Sequence, residues 1–159
     1  MLPTPPGHTL YTPIEVGEVP IPATIDRNSI VLSAGNGRLN IASHDQWGAP
    51  IGELIRQALT ANLTARLPPG CVLSPGGIAG RSGLHVLSLH ILRFMSDTMG
   101  HVTLDVSWNV LVAGSSKVLH SGHEVIAVQA ASSDISAIVP AMSQALGQLA
   151  DRVTAALLR

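Results

Sequence analysis

Seven histidines are the most chemically versatile groups in this 159-residue chain, and His120-x-x-His123 is the tightest pair among them. Two imidazoles converging on one cation would begin a zinc site. The sequence around them reads as a strand, however, where residues three apart point to opposite faces. Only a β-bulge would bring them together. His85 and His90 have opposite parity in the same way. Zinc would also want more cysteine or carboxylate company, so no metal or other cofactor is expected, and these histidines read as surface or half-buried residues.

Other constellations fail for reasons of spacing. Asp105 and Glu124 could face each other across a hairpin and imitate an acid/base pair, although exposed strand carboxylates are the simpler reading. Gly76, Gly77, Gly80 and Gly83 make a glycine-rich loop without the Gly-Lys-Ser/Thr ending of a phosphate loop, and it leads into a strand rather than a helix. Gly77-Ile78-Ala79-Gly80 has the bare spacing of an RNA-clamping loop but no basic flank. Gly80-Arg81-Ser82-Gly83 misses the nucleophile-elbow spacing by one residue. Ser82, His85 and Asp105 could be assembled only as a scattered hydrolase triad. Cys71, the single cysteine, allows no intramolecular disulfide and reads as a small buried hydrophobe. The chain is not expected to be an enzyme.

Charge excludes another class. Lys+Arg is 9 against Asp+Glu 10, a net charge of -1, and Lys117 is the one lysine among scattered arginines. A nucleic-acid partner would require a clustered basic stripe, so none is expected. Charged residues are 12% of the chain, about half the usual ~25%. The low charge fits small-residue composition, and equally a surface hidden against a partner or a second copy in a homo-oligomer. No run of about 18 apolar residues could span a membrane, and the start lacks an apolar signal-peptide core.

The elements that position these residues follow from periodicity. Residues 1–9, with Pro3, Pro5 and Pro6, read as a stiff extended tether, and 10–159 as one domain of α+β class. Leu10–Pro22 suits an edge or entry strand. Ser29–Ser43 reads as a hairpin turning at Gly35-Asn36-Gly37. From Ile51 to Leu67 apolar residues recur at i, i+3, i+4, i+7: Ile51, Leu54, Ile55, Ala58, Leu59, Ala61, Leu63 and Leu67. Pro50 opens that helix and Pro68-Pro69-Gly70 closes it. After a flexible loop at 74–83, Leu84–Phe94, His101–Val112 and Lys117–Ala131 read as strands, the last two forming a second hairpin. His101–Val112 alternates strictly, with Trp108 on the apolar face. A long C-terminal helix follows, capped by Ser133 or Asp134 and kinked or begun at Pro140. Its stripe is Ile135, Ile138, Val139, Met142, Leu146, Leu149, Val153 and Leu157. The expected sum is a mostly antiparallel or mixed sheet with two long helices on one face.

The order of landmarks resembles the ABC-type transport auxiliary lipoproteins, the PqiC-like family of Gram-negative envelopes. Leu10-Tyr11-Thr12 matches its Tyr-containing first strand. Val16-Gly17-Glu18-Val19-Pro20 and Asp26-Arg27 match its Val-x-Val-Pro element and following Asp-Arg. Trp47-Gly48-Ala49-Pro50-Ile51 and Asn62-Leu63 match Trp-x-x-Pro-Leu and the Asn-Leu helix end, with Ile51 in place of leucine. Trp108 matches the single strand Trp, and Met142-Ser143-Gln144-Ala145-Leu146 the closing helix. The family's N-terminal lipidation cysteine is missing from this chain, and Cys71, in mid-domain, cannot replace it.

The resemblance implies a non-enzymatic periplasmic part of a lipid transport system, tethered to the outer membrane by an N-terminal lipid anchor in its full-length form. Its partners would be an MCE-domain protein and ABC transporter subunits, with phospholipid as a further candidate. The alternative is a free periplasmic carrier of lipid or another small ligand. In either case the first helix is a scaffold element first. Trp47, Pro50 and Ile51 at its entrance are the candidate partner or lipid contacts.

Overall fold

The computed structural model describes residues 13–23, 29–35, 38–73, 84–115 and 117–157, with the backbone alone described for 29–35 and 38–46. The expected tether at 1–9, the turn residues Asn36 and Gly37 and the glycine-rich loop with Ser82 lie outside the described residues. The elements are β1 (Ile14–Val16), β2 (Ser29–Gly35), β3 (Arg38–Gln46), α1 (Ile51–Arg66), β4 (Val72–Leu73), β5 (His85–Asp97), β6 (His101–Val112), β7 (Val118–Gln129) and α2 (Ile135–Leu157). This is an α+β fold built on a mixed sheet.

β5 is the axis of the sheet. One edge pairs antiparallel with β6, which pairs antiparallel with β7. The other edge is shared: β1 lies parallel to its start, and β2 parallel to its end. β2 and β3 form the expected hairpin, closed by Gly35 opposite Arg38. β1 corrects the expectation of an edge or entry strand, because it lies between β5 and β4. Pro13 and Pro20 flank the three paired residues instead of interrupting them, so no ladder hydrogen bond is lost.

The run in β5 that is apolar on both faces has a single cause. Register shifts between Ile91 and Arg93, leaving Leu92 as the extra residue of a bulge, half exposed at 50%. Before the bulge Leu87, Leu89 and Ile91 face the core; after it Phe94 and Ser96 do. A strand has period two, so one inserted residue moves the sequence that follows to the other face. β6 alternates without interruption, burying Val102, Leu104, Val106, Trp108 and Val110 opposite those five residues.

Both helices cover this one face, α1 over β1 and β4 and α2 over β6 and β7, and they touch each other. Pro50 is the N-cap of α1, its carbonyl accepting from the N–H groups of Glu53 and Leu54 at 3.0 and 3.1 Å. Leu67 is extended, φ -104 and ψ 159, as a residue before proline must be. α1 buries Ile51, Ile55, Leu59 and Leu63; Ala61 of the expected stripe is exposed. α2 begins at Ile135 and runs through Pro140, which neither starts nor ends it. The Asp134 carbonyl accepts from Ala137 and Ile138, and Ser132 Oγ accepts from the Asp134 N–H at 3.2 Å.

Arginines fasten the helices. Arg56 donates through Nε to the Val16 carbonyl at 2.9 Å and through Nη2 to Glu15 at 3.3 Å, tying α1 to β1. Arg66 Nε meets Asp151 at 2.5 Å, tying α1 to α2. Arg152 Nη1 meets Glu124 at 2.7 Å, tying α2 to β7.

Candidate functional site

Where the N-terminal half of α1 passes α2, each helix presents the same spacing. α1 contributes Ile51, Leu54, Ile55 and Ala58; α2 contributes Val139, Met142, Ser143 and Leu146. Both sets are i, i+3, i+4, i+7, one side of a helix. Between them lies an open cleft of about 270 Å³, with Phe94 and Trp47 also lining it. The β5 bulge puts Phe94 there: in a regular strand a residue three after Ile91 would face the opposite side of the sheet. Among the described residues that line it, Ser143 supplies the one side-chain hydroxyl. Such a surface can take up an apolar group by desolvation.

Of the expected contacts, Trp47 and Ile51 are brought together in this cleft. Pro50 is not. It lines a separate depression of about 450 Å³ with Glu18, Val19, Pro20, Ile21, Gly52, Glu53 and Arg56. Leu54, Phe94, Val139, Met142 and Leu146 were not among the expected contacts. The matching helical spacings were a signal for all but Phe94, whose place depends on the bulge.

The reactive pairs considered from the sequence are not brought together. His120 is opposite Val110 on the helix-covered side, and His123 opposite Ser107 on the other. Asp105 and Glu124 are likewise separated by the sheet. Asp105 meets His123 Nε2 at 2.5 Å, whereas Glu124 pairs with Arg152. His85 shares the face of Leu87 and is therefore across the sheet from Asp105, so these two cannot belong to one triad. Burial first, and the charge of His120 second, push the His85 pKa below its ordinary 6.5. Among the described residues no group of three or more His, Cys, Asp or Glu could hold a metal ion. Cys71 is half-buried against the core. No helix among the described residues is long and apolar enough to cross a membrane.

Sheet, paired helices and apolar cleft define an α+β domain. The chain belongs to the ABC-type transport auxiliary lipoprotein component family, whose model matches residues 2–154. That membership makes it an auxiliary part of a transport system and points to the cell envelope.

Solved structures share the fold. One, of an uncharacterized protein, is similar with a TM-score of 0.79 and 18% identity over 91% of this chain and 90% of its own. A DUF330 protein from Xanthomonas campestris gives 0.77 and 21% over 98% and 89%. PelC from Paraburkholderia phytofirmans, solved as a dodecamer, gives 0.50 and 15% over 92% and 86%. No curated protein matches the chain.

Proposed function

We propose that this chain is a non-catalytic periplasmic docking component of an ABC/MCE-type lipid transport system. Residues 10–159 form its working domain, and 1–9 serve as the tether through which the lipidated protein is held to the outer membrane. The α1–α2 cleft receives an apolar group of a transport partner, with Trp47 and Ile51 as contacts. Pro50 contributes by fixing the entrance of α1.

The observation that carries this reading is the cleft itself, apolar and open between two helices that arginine pairs anchor to the rest of the domain. Its size favours docking over cargo. Sites for small ligands span roughly 300–1,000 Å³ and enclose most of the ligand; about 270 Å³ of open cleft suits one or two side chains of a partner better than a two-tailed lipid. Family membership supports the transport context.

The test is affinity purification of the full-length lipidated protein from its own detergent-solubilised envelope. Recovery of an MCE-domain protein or ABC subunits supports docking. Recovery of the bait alone, with bound phospholipid, would favour a free lipid carrier.

A further inference from the structure

The methionines among the described residues stand in very different surroundings. Met95 on β5 is 8% exposed and Met142 on α2 is 7% exposed, and both belong to the hydrophobic core. Met142 also lines the α1–α2 cleft. Met99 is 68% exposed, more than any other large hydrophobic residue described.

Met99 is the third residue of the turn that joins β5 to β6. The Gly100 N–H donates to the Asp97 carbonyl at 3.3 Å, closing the four residues, and Gly100 has the left-handed φ of 82. The Met99 N–H donates to Asp97 Oδ1 at 2.8 Å, and its carbonyl accepts from Gln129 Nε2 at 3.1 Å. That amide also donates to the Ala130 carbonyl at 3.1 Å, while the Ala130 N–H donates to the Gly100 carbonyl at 2.8 Å. These bonds fasten the turn to the end of β7 through the Met99 backbone, and none of them uses its thioether. The sulfur is thus displayed to water on a fixed support. A thioether is polarizable, and its lone pair accepts oxygen from an oxidant.

We propose that Met99 is an oxidation site, the position at which a hydroperoxide modifies the folded chain first. The sulfur lone pair takes the terminal peroxide oxygen and the O–O bond breaks. The proton of the transferred oxygen passes to the departing one, which leaves as water or an alcohol. Sulfur is oxidised by two electrons to the sulfoxide, and the peroxide is reduced by two. A sulfoxide is polar. On the exposed turn its oxygen is hydrated, and the backbone bonds that shape the turn stay in place. At Met95 or Met142 the same oxygen would be set among apolar groups, where an unpaired polar atom is costly. Access and tolerance therefore coincide at Met99. The turn is not part of the α1–α2 cleft, so this inference stands independently of the docking function.

Peptide mapping by mass spectrometry of the purified full chain, after increasing times in hydrogen peroxide, tests it. In the folded chain the Met99 sulfoxide should form at least tenfold faster than the sulfoxide at Met95 or Met142. Once Met99 is oxidised, the urea unfolding midpoint should be unchanged. In a urea concentration that unfolds the chain, the three positions should react at similar rates, because only the fold separates them. Oxidation of Met95 or Met142 in the folded chain as fast as Met99 would overturn the proposal. So would a lower midpoint after oxidation of Met99 alone, or the same order of reaction surviving in the unfolded chain.

Discussion

Gly122 and Trp108 face each other across β6 and β7, and the indole occupies the space a side chain at 122 would need. A Cβ there would lie 2.6 Å from Trp108 Nε1 and 2.7 Å from two ring carbons. The ring is 2% exposed, and its buried Nε1 has no hydrogen-bond partner among the described residues. Glycine at 122 leaves room for the largest side chain of β6.

Gly122→Ala therefore forces a rigid buried ring to move. The expected loss is about 1–3 kcal/mol, the usual range for overpacking. Urea unfolding followed by circular dichroism measures it, and an unchanged midpoint would place the indole elsewhere.

The β5 bulge predicts that two adjacent residues differ sharply. Ile91→Ala removes a side chain 2% exposed and should cost about 2–5 kcal/mol. Leu92→Ala trims the half-exposed extra residue and should stay within about 0.5 kcal/mol. Comparable losses at both positions would mean that the strand is regular.

Stability should fall on mild acidification. The folded-state pKa of His85 is depressed, so the unfolded chain takes up the proton first. The stabilising contribution is complete above 6.5 and is lost as pH falls below it. His85→Gln should flatten the difference between unfolding midpoints at pH 7.5 and 5.5.

Asp97 adds a second step in stronger acid. Burial alone would raise its pKa, but the backbone N–H groups of His101 and Met99, and the His101 ring, together hold it below 3.8. Both N–H groups donate to Oδ1, at 2.9 and 2.8 Å, and shape the β5–β6 turn. Its contribution is present above 3.8 and disappears as pH falls through the lower folded value. Asp97→Asn should remove that acid step and lower stability at neutral pH.

Much of this arrangement was legible in the sequence because it is periodic. The alternation from Val102 to Val110 and the spacing of Ile51, Ile55, Leu59 and Leu63 each have one physical solution. β1 was harder. Its Ile14 and Val16 look like an edge segment among prolines, and only the long-range parallel pairing with β5 makes the strand internal. The bulge at Leu92 leaves no mark but a run of apolar residues on both faces. Half of the cleft was visible as an amphipathic helix. Its partnership with Val139, Met142 and Leu146 depends on two helices far apart in sequence meeting in space, which periodicity cannot express.

The most direct measurement of the central claim is quantitative recovery of transport subunits with cleft variants of the full-length lipidated protein. Ser143→Arg adds charge at an exposed position on the cleft rim, and Trp47→Ala removes a half-buried wall. If the cleft is the docking site, wild-type protein recovers MCE or ABC subunits and both variants lose at least tenfold, while their unfolding midpoints show that the domain remains folded. Equal recovery by folded variants would contradict the cleft as the place where this protein meets its transporter.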